Sequence, residues 1–189
     1  VKEFNLIKYG SLYPADYKFK YPKAGEENSK VQIFIYDVKT GTSVLADAGS
    51  DYEYIPRIKW TLSFPMPINS DIKLPFLSIQ KMNRLQNKLE LLLADANTGK
   101  TKTILTETSD TYIEISDNLT FLPNGNDFIW SSSQDGFNHL YLYEMSGQLV
   151  YQITKGNWDV TELKGYDEKK QIIYYYNISY HIYCIIDSI

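Results

Sequence analysis

The sequence predicts an all-β chain, a partial β-propeller of four-stranded antiparallel blades, with about three blades followed by the start of another. Three observations carry this. One hairpin pattern occurs three times, each copy an alternating apolar strand, a polar turn ending in glycine, and a second strand. The turn glycines Gly41, Gly99 and Gly147 are 58 and 48 positions apart, and leaving out the Pro-rich stretch 62–76 reduces the first interval to 43. Such spacings suit a blade of about 40–50 residues. The composition is 43% hydrophobic and 15% aromatic, with 17 Tyr. It favours residues that fit a pleated, half-buried surface and is too apolar for disorder.

The first copy runs from Val31 to Tyr36, turns through Asp37 to Gly41 and returns from Thr42 to Leu45. The second runs from Leu89 to Leu93, turns at Asp95 to Gly99 and returns from Lys102 to Leu105. The third runs from His139 to Tyr143, turns at Glu144 to Gly147 and returns from Leu149 to Thr154. Glycine takes the positive φ of such turns at low cost. Before the third hairpin lie two more strands, Leu119–Leu122 and Phe128–Ser131, joined by Pro123-Asn124-Gly125-Asn126, so a whole blade spans 119–154. Segments 162–166 and 172–176, around a polar turn at 167–170, begin the next. Residues 80–93 could place Leu85, Leu89 and Leu92 on one helix face, but the repeat register and the residues Asn83, Gln86 and Asn87 favour strands. Blades bury both faces of each sheet, so an incomplete set leaves a face and an edge uncovered and adhesive.

The formal net charge is −4 with scattered Lys and Arg, which excludes a basic stripe for nucleic acid. Cys184 is the single cysteine, so no internal disulfide or cysteine-based metal site is expected. No apolar run reaches the roughly 18 residues of a membrane helix. The chain starts Val1-Lys2-Glu3-Phe4, without an initiator Met or a leader pattern, which suggests a processed or excised segment.

Candidate chemistry is sparse. His139 and His181 lack metal-ligand spacing and are expected to be structural. Ser131, Ser132 and Ser133 end a strand, and no Gly-x-Ser-x-Gly elbow is present, so no catalytic residue is assigned. There is no phosphate loop or zinc signature, and no cofactor or metal is expected. Asp37, Asp95 and Glu144 recur at equivalent turn positions; turn caps are the simpler reading, calcium ligands the other. Asn118-Leu119-Thr120 and Asn177-Ile178-Ser179 match the N-glycosylation sequon, which matters in a eukaryotic secretory host.

Three stretches resemble the propeller of the dipeptidyl peptidase IV-like serine peptidases of the prolyl oligopeptidase clan. They are Tyr21-Pro22-Lys23-Ala24-Gly25, then Gln80 to Asn87 with Arg84, Gln86 and Asn87 read as a strand core, and 121–160 with its Thr154-Lys155-Gly156-Asn157-Trp158-Asp159-Val160 element. They follow family order over about Ser11 to Tyr176, and 62–76 and 178–189 depart from the pattern. The resemblance implies an eight-bladed propeller followed by an α/β-hydrolase domain, in a parent that releases N-terminal dipeptides with Pro or Ala second. This chain would be its non-catalytic scaffold and substrate gate, lacking the hydrolase domain and inactive alone. The implied partners are short peptides and a second copy of the parent, with no nucleic acid and no membrane span; the implied location is the periplasm, the extracellular space or the cell surface. Phe121 aligns with an aromatic bordering the extended substrate pocket, the alternative being a strand residue packed between blades. Arg84, Gln86 and Asn87 are expected to be structural. The competing readings are a propeller that binds protein or glycan without an attached peptidase, and a related tripeptide-releasing enzyme.

Overall fold

In the computed structural model the described residues are 1–61, 75–178 and, for the backbone alone, 182–186. Two compact units are present, residues 1–31 and 32–189.

The first unit is a hairpin of β1 (Glu3–Lys8) and β2 (Ala15–Lys20). Phe4 stands opposite Phe19 and Leu6 opposite Tyr17, so one face is aromatic. The Phe4 and Phe19 rings meet edge-on at 5.9 Å, and Phe19 also contacts Tyr17 and Tyr21. Lys8 lies over Tyr17, and Lys23 over Phe4. The repeat pattern does not include this hairpin. Its strands carry Lys, Asp and Asn, poor strand formers that cross-strand aromatic pairs offset.

The second unit is a succession of antiparallel meanders. β3 (Ile33–Asp37) and β4 (Thr42–Ala46) form a pair. β5 (Tyr54–Trp60), β6 (Phe76–Met82), β7 (Lys88–Asp95) and β8 (Thr101–Thr108) form a four-stranded sheet in chain order. β9 (Thr120–Phe121), β10 (Asp127–Ser132), β11 (His139–Glu144) and β12 (Leu149–Gln152) form a second. β13 (Val160–Asp167), β14 (Ile172–Asn177) and β15 (Ile182–Ile186) follow as three strands. The all-β partial propeller is therefore observed, with two complete blades. The first hairpin copy stands as a pair rather than within a full blade.

In the second unit, β5 and β15 escaped the sequence pattern. β5 contains Pro56, Arg57 and Lys59, which break its alternation; Pro56 lies at the register shift between Tyr54 and Arg57 on an edge strand, where a missing N–H is tolerated. β15, in the stretch that departs from the family pattern, pairs its backbone with β14 from Ile172↔Ile186 to Tyr176↔Ile182. The helical alternative for 80–93 is replaced by β6, a turn and β7. Residues 62–74, most of the departing stretch 62–76, lie outside the described residues.

Three apolar seams join the sheets. Ile35 and Ala46 meet Ile79 and Leu92 between the first pair and the first full blade. Leu91, Ile104, Phe121, Phe128, Trp130 and Tyr143 share the seam between the full blades. Leu140, Leu142, Val160, Ile173 and Tyr175 share the last.

The turn glycines index one sheet on the next. A Cβ on Gly99 would lie 2.0 Å from the Leu45 carbonyl oxygen of β4, and one on Gly147 would lie 1.8 Å from that of Ile104 in β8. Both have positive φ, +71° and +97°. Nearby, the Asp47 N–H donates to the Gly99 carbonyl at 2.9 Å.

Asp37 caps its turn by accepting the N–H groups of Lys39 and Thr40, and Asp95 those of Asn97 and Thr98. These backbone bonds hold both carboxyls below the usual aspartate range. A carboxylate with a depressed folded pKa stabilises fully above its unfolded value and loses that contribution as pH falls through the folded one. Asp95→Ala is therefore expected to lower stability at pH 7 by less than about 1 kcal/mol, the turn being open to solvent, with the gap to the parent closing at acid pH, as pH falls below the usual aspartate range and through the lowered folded-state pKa. Denaturant unfolding at both pH values checks this; an unchanged gap would refute the carboxylate's role.

Candidate functional site

The most developed polar site is the rim of the seam between the two full blades. Glu107, near the end of β8, reaches across to β10. Its carboxylate accepts the Trp130 indole N–H at 3.0 Å and the Ser132 hydroxyl. Two hollows flank it. One, about 190 Å³, is bounded by Leu105, Glu107, Trp130, Ser132, Gln134 and Tyr143. The other, about 340 Å³, is bounded by Glu107, Ser109, Tyr112, Glu114, Ser133 and Gln134. Burial pushes the Tyr143 hydroxyl above the ordinary tyrosine range, so it stays a neutral donor. The chemistry on offer is recognition of polar groups. Ser132 donates its hydroxyl to the Glu107 carboxylate, so this hydroxyl is engaged across the seam. No local sequence motif marks Glu107; its role follows from β8 lying beside β10 of the next blade.

Ser131 and His139 are likewise placed by their hydrogen bonds. Ser131 donates to the Asn138 side-chain oxygen at 2.7 Å. His139 is fully buried, its Nε2 2.9 Å from the Gly156 carbonyl and its Nδ1 3.0 Å from Thr154 Oγ1. A carbonyl only accepts, so Nε2 carries the proton and the Thr154 hydroxyl donates to Nδ1. The same hydroxyl accepts the Leu140 N–H. Trp158 sets its ring edge-on to His139 at 4.9 Å and stacks on Tyr175 at 6.0 Å. A Cβ on Gly156 would strike Trp158 at 2.2 Å, and Asp159 caps the Asn138 N–H at 2.6 Å. The Thr154–Val160 element is thus a clasp closing one blade and opening the next. His181 lies outside the described residues, as does the side chain of Cys184.

Phe121 is 4% exposed and packs in the seam core, its ring 6.0 Å from that of Phe128. Packing between blades is the role these surroundings supply. Glu144 accepts from the Ser146 hydroxyl, unlike the backbone-capping Asp37 and Asp95. No cluster of metal-ligating side chains is found among the described residues.

Arg84, Gln86 and Asn87 lie in the β6–β7 turn and not in a strand as the sequence suggested. Asn83 accepts the Asn87 and Lys88 N–H groups, which folds the chain back, and Gln86 takes φ +57°. The Gln86 and Asn87 carbonyls accept the N–H groups of Ile113 and Ser109 on the approach to the next blade. Arg84 pairs with Glu53 at 3.1 Å.

Asn118, of the first sequon, is 7% exposed; its amide donates to Ser131 and accepts the Leu163 N–H at 2.8 Å. A glycan does not fit there. Asn118→Ala, which orphans that N–H, is expected to cost about 1–3 kcal/mol, measurable by urea unfolding; an unchanged midpoint would remove Asn118 from the link between these blades.

The family model described as the dipeptidyl peptidase IV (DPP IV) N-terminal region matches residues 1–185. The chain belongs to that family. A crystal structure of Porphyromonas gingivalis dipeptidyl peptidase 4 superposes with a TM-score of 0.78 at 35% identity, covering 94% of this chain and 24% of that one. A probable dipeptidyl peptidase 4 of Neosartorya fischeri is 26% identical over 178 residues, 89% of this chain and 22% of the relative. The inactive dipeptidyl peptidase 10 of Mus musculus is 26% identical over 181 residues, 88% of this chain and 21% of the relative. The chain therefore spans about a fifth of the length of the curated relatives it matches. Within this DPP IV region, Thr154–Val160 and the 83–87 turn are now seen as blade-joining devices. Among the described residues no helix is long and apolar enough to cross a membrane.

Proposed function

We propose that this DPP IV-family segment is the non-catalytic part of a serine exopeptidase that removes N-terminal dipeptides with Pro or Ala second. Its blades hold the peptidase domain and limit entry to short peptides. The observation that carries this reading is the family match over residues 1–185, together with the likeness to the Porphyromonas enzyme. It agrees with the occupied hydroxyls of Ser131 and Ser132 and the fully engaged His139. In this reading the parent is a homodimer of the periplasm or the cell surface. Phe121 contributes to the border of the substrate pocket by fixing the Thr120–Leu122 segment from within the seam.

The segment alone is expected to leave a Gly-Pro chromogenic amide uncleaved. Turnover that survives repurification and is abolished by a serine-reactive inhibitor would overturn this. The likeness to an inactive dipeptidyl peptidase supports a second reading, a propeller that binds protein or glycan without peptidase activity. The uninterrupted reading frame separates the two. A downstream Gly-x-Ser-x-Gly followed by Asp and His, with turnover by the full-length polypeptide, favours the peptidase; lack of that elbow favours the binding module.

A further inference from the structure

Asn124-Gly125 is the only Asn-Gly pair in the 189 residues. Such a pair carries a reaction of its own. The glycine amide nitrogen attacks the asparagine side-chain carbonyl carbon, a new C–N bond closes a succinimide ring, and the bond to Nδ2 breaks as ammonia leaves. Water then opens the ring at either carbonyl and leaves aspartate or isoaspartate. Glycine suits the step because no side chain shields its nitrogen.

Asn124 is exposed on the turn between β9 and β10, so solvent reaches it. The groups that ring closure needs are nevertheless committed to the turn. The Gly125 N–H donates to the Leu122 carbonyl at 3.1 Å. The Asn124 side-chain oxygen accepts the N–H groups of Asn126 at 3.0 Å and Asp127 at 3.2 Å. Its Nδ2 donates to the Asp127 carboxylate at 2.6 Å. The nucleophile is tied down, and the group it would attack is held by partners further along the chain. The same turn fixes its neighbours. The Leu122 N–H donates to the Asp127 carbonyl at 2.9 Å, and the Met145 N–H to that of Asn126 at 2.7 Å. On β10, β9 has only the register partners Phe121↔Phe128 and Thr120↔Ile129, so the turn supplies much of its anchorage.

We propose that Asn124 is a deamidation site that the fold holds shut. It converts to aspartate or isoaspartate when the β9–β10 turn opens, and conversion stops the turn from closing as before. Deamidation replaces the Nδ2 donor with an acceptor oxygen beside the Asp127 carboxylate, so two negative charges face each other where a hydrogen bond stood. Isoaspartate also adds a backbone carbon next to Gly125, which sits at φ +77°, and draws the Asn126 carbonyl away from Met145. The modified turn is a covalent record of chains that have opened at β9. The chemistry takes only water and needs no peptidase activity.

The test ages the full-length polypeptide that contains these residues at neutral pH, with and without urea. Peptide mapping follows loss of ammonia and isoaspartate at position 124. Conversion is expected to be slower in the folded state than in urea by about tenfold or more. Asp127→Ala frees Nδ2 and is expected to speed conversion several-fold in the folded state while leaving the rate in urea unchanged. Equal rates in the two states, no conversion in urea, or a folded-state rate that Asp127→Ala does not move overturns the proposal. The consequence is read separately. Asn124→Asp is expected to lower the melting temperature, and Asn124→Asp combined with Asp127→Asn to recover most of the loss. An unchanged melting temperature for Asn124→Asp overturns the charge conflict. None of these readouts involves turnover, so failure here and failure of the peptidase reading are told apart.

Discussion

Gly147→Ala is expected to destabilise the chain by about 3 kcal/mol or more, from a left-handed backbone and a clash that no rotamer relieves. The added Cβ would sit 1.8 Å from a backbone oxygen of the preceding blade, so the two sheets must separate to admit one methyl group. Gly136→Ala is the control. Its φ of +101° is equally left-handed, but nothing lies within 4 Å of the added Cβ. It is expected to cost only the backbone part, about 1–2 kcal/mol. Urea unfolding of the two variants measures the difference. Equal midpoints would show that the close approach at Gly147 does not hold the blades in place.

The second large effect is expected at His139. Truncation to Ala removes a fully buried ring, leaves the Thr154 hydroxyl and the Gly156 carbonyl without their partner, and withdraws the edge against Trp158. Lost packing and orphaned polar groups together should cost about 3–4 kcal/mol. Near-ultraviolet circular dichroism of the Trp158–Tyr175 pair should change with it. A loss below about 1 kcal/mol would mean that the clasp closes without the imidazole.

The sequence announces this fold where backbone geometry demands a particular residue. Gly41, Gly99 and Gly147 are legible because few other residues take such turns, and Asp37 and Asp95 because their carboxylates satisfy the turn N–H groups. Strand β5 was not legible, since Pro56, Arg57 and Lys59 break the alternation and its stability comes from neighbours, including the bond from Lys59 to the Leu119 carbonyl. The β1–β2 hairpin lies outside the repeat, and its aromatic pairs appear only once register is known. The polar rim was the least legible part. Glu107 follows an ordinary strand in the sequence, and the 25 positions between it and Ser132 close up only because the blades are adjacent. The sequon match at Asn118 left the residue's burial illegible, because a short motif carries no information about it.

The three tryptophans fall at separate stations along the second unit, which makes the chain its own spectroscopic ruler. Trp60, 48% exposed on β5, reports the first full blade from the solvent side. Trp130, buried with its indole N–H on Glu107, reports the central seam. Trp158, stacked on Tyr175, reports the last. Three single-tryptophan versions, with the other two indoles replaced by Phe, would emit from three different polarities. Their denaturation curves would show whether the blades melt as one body or peel away in sequence.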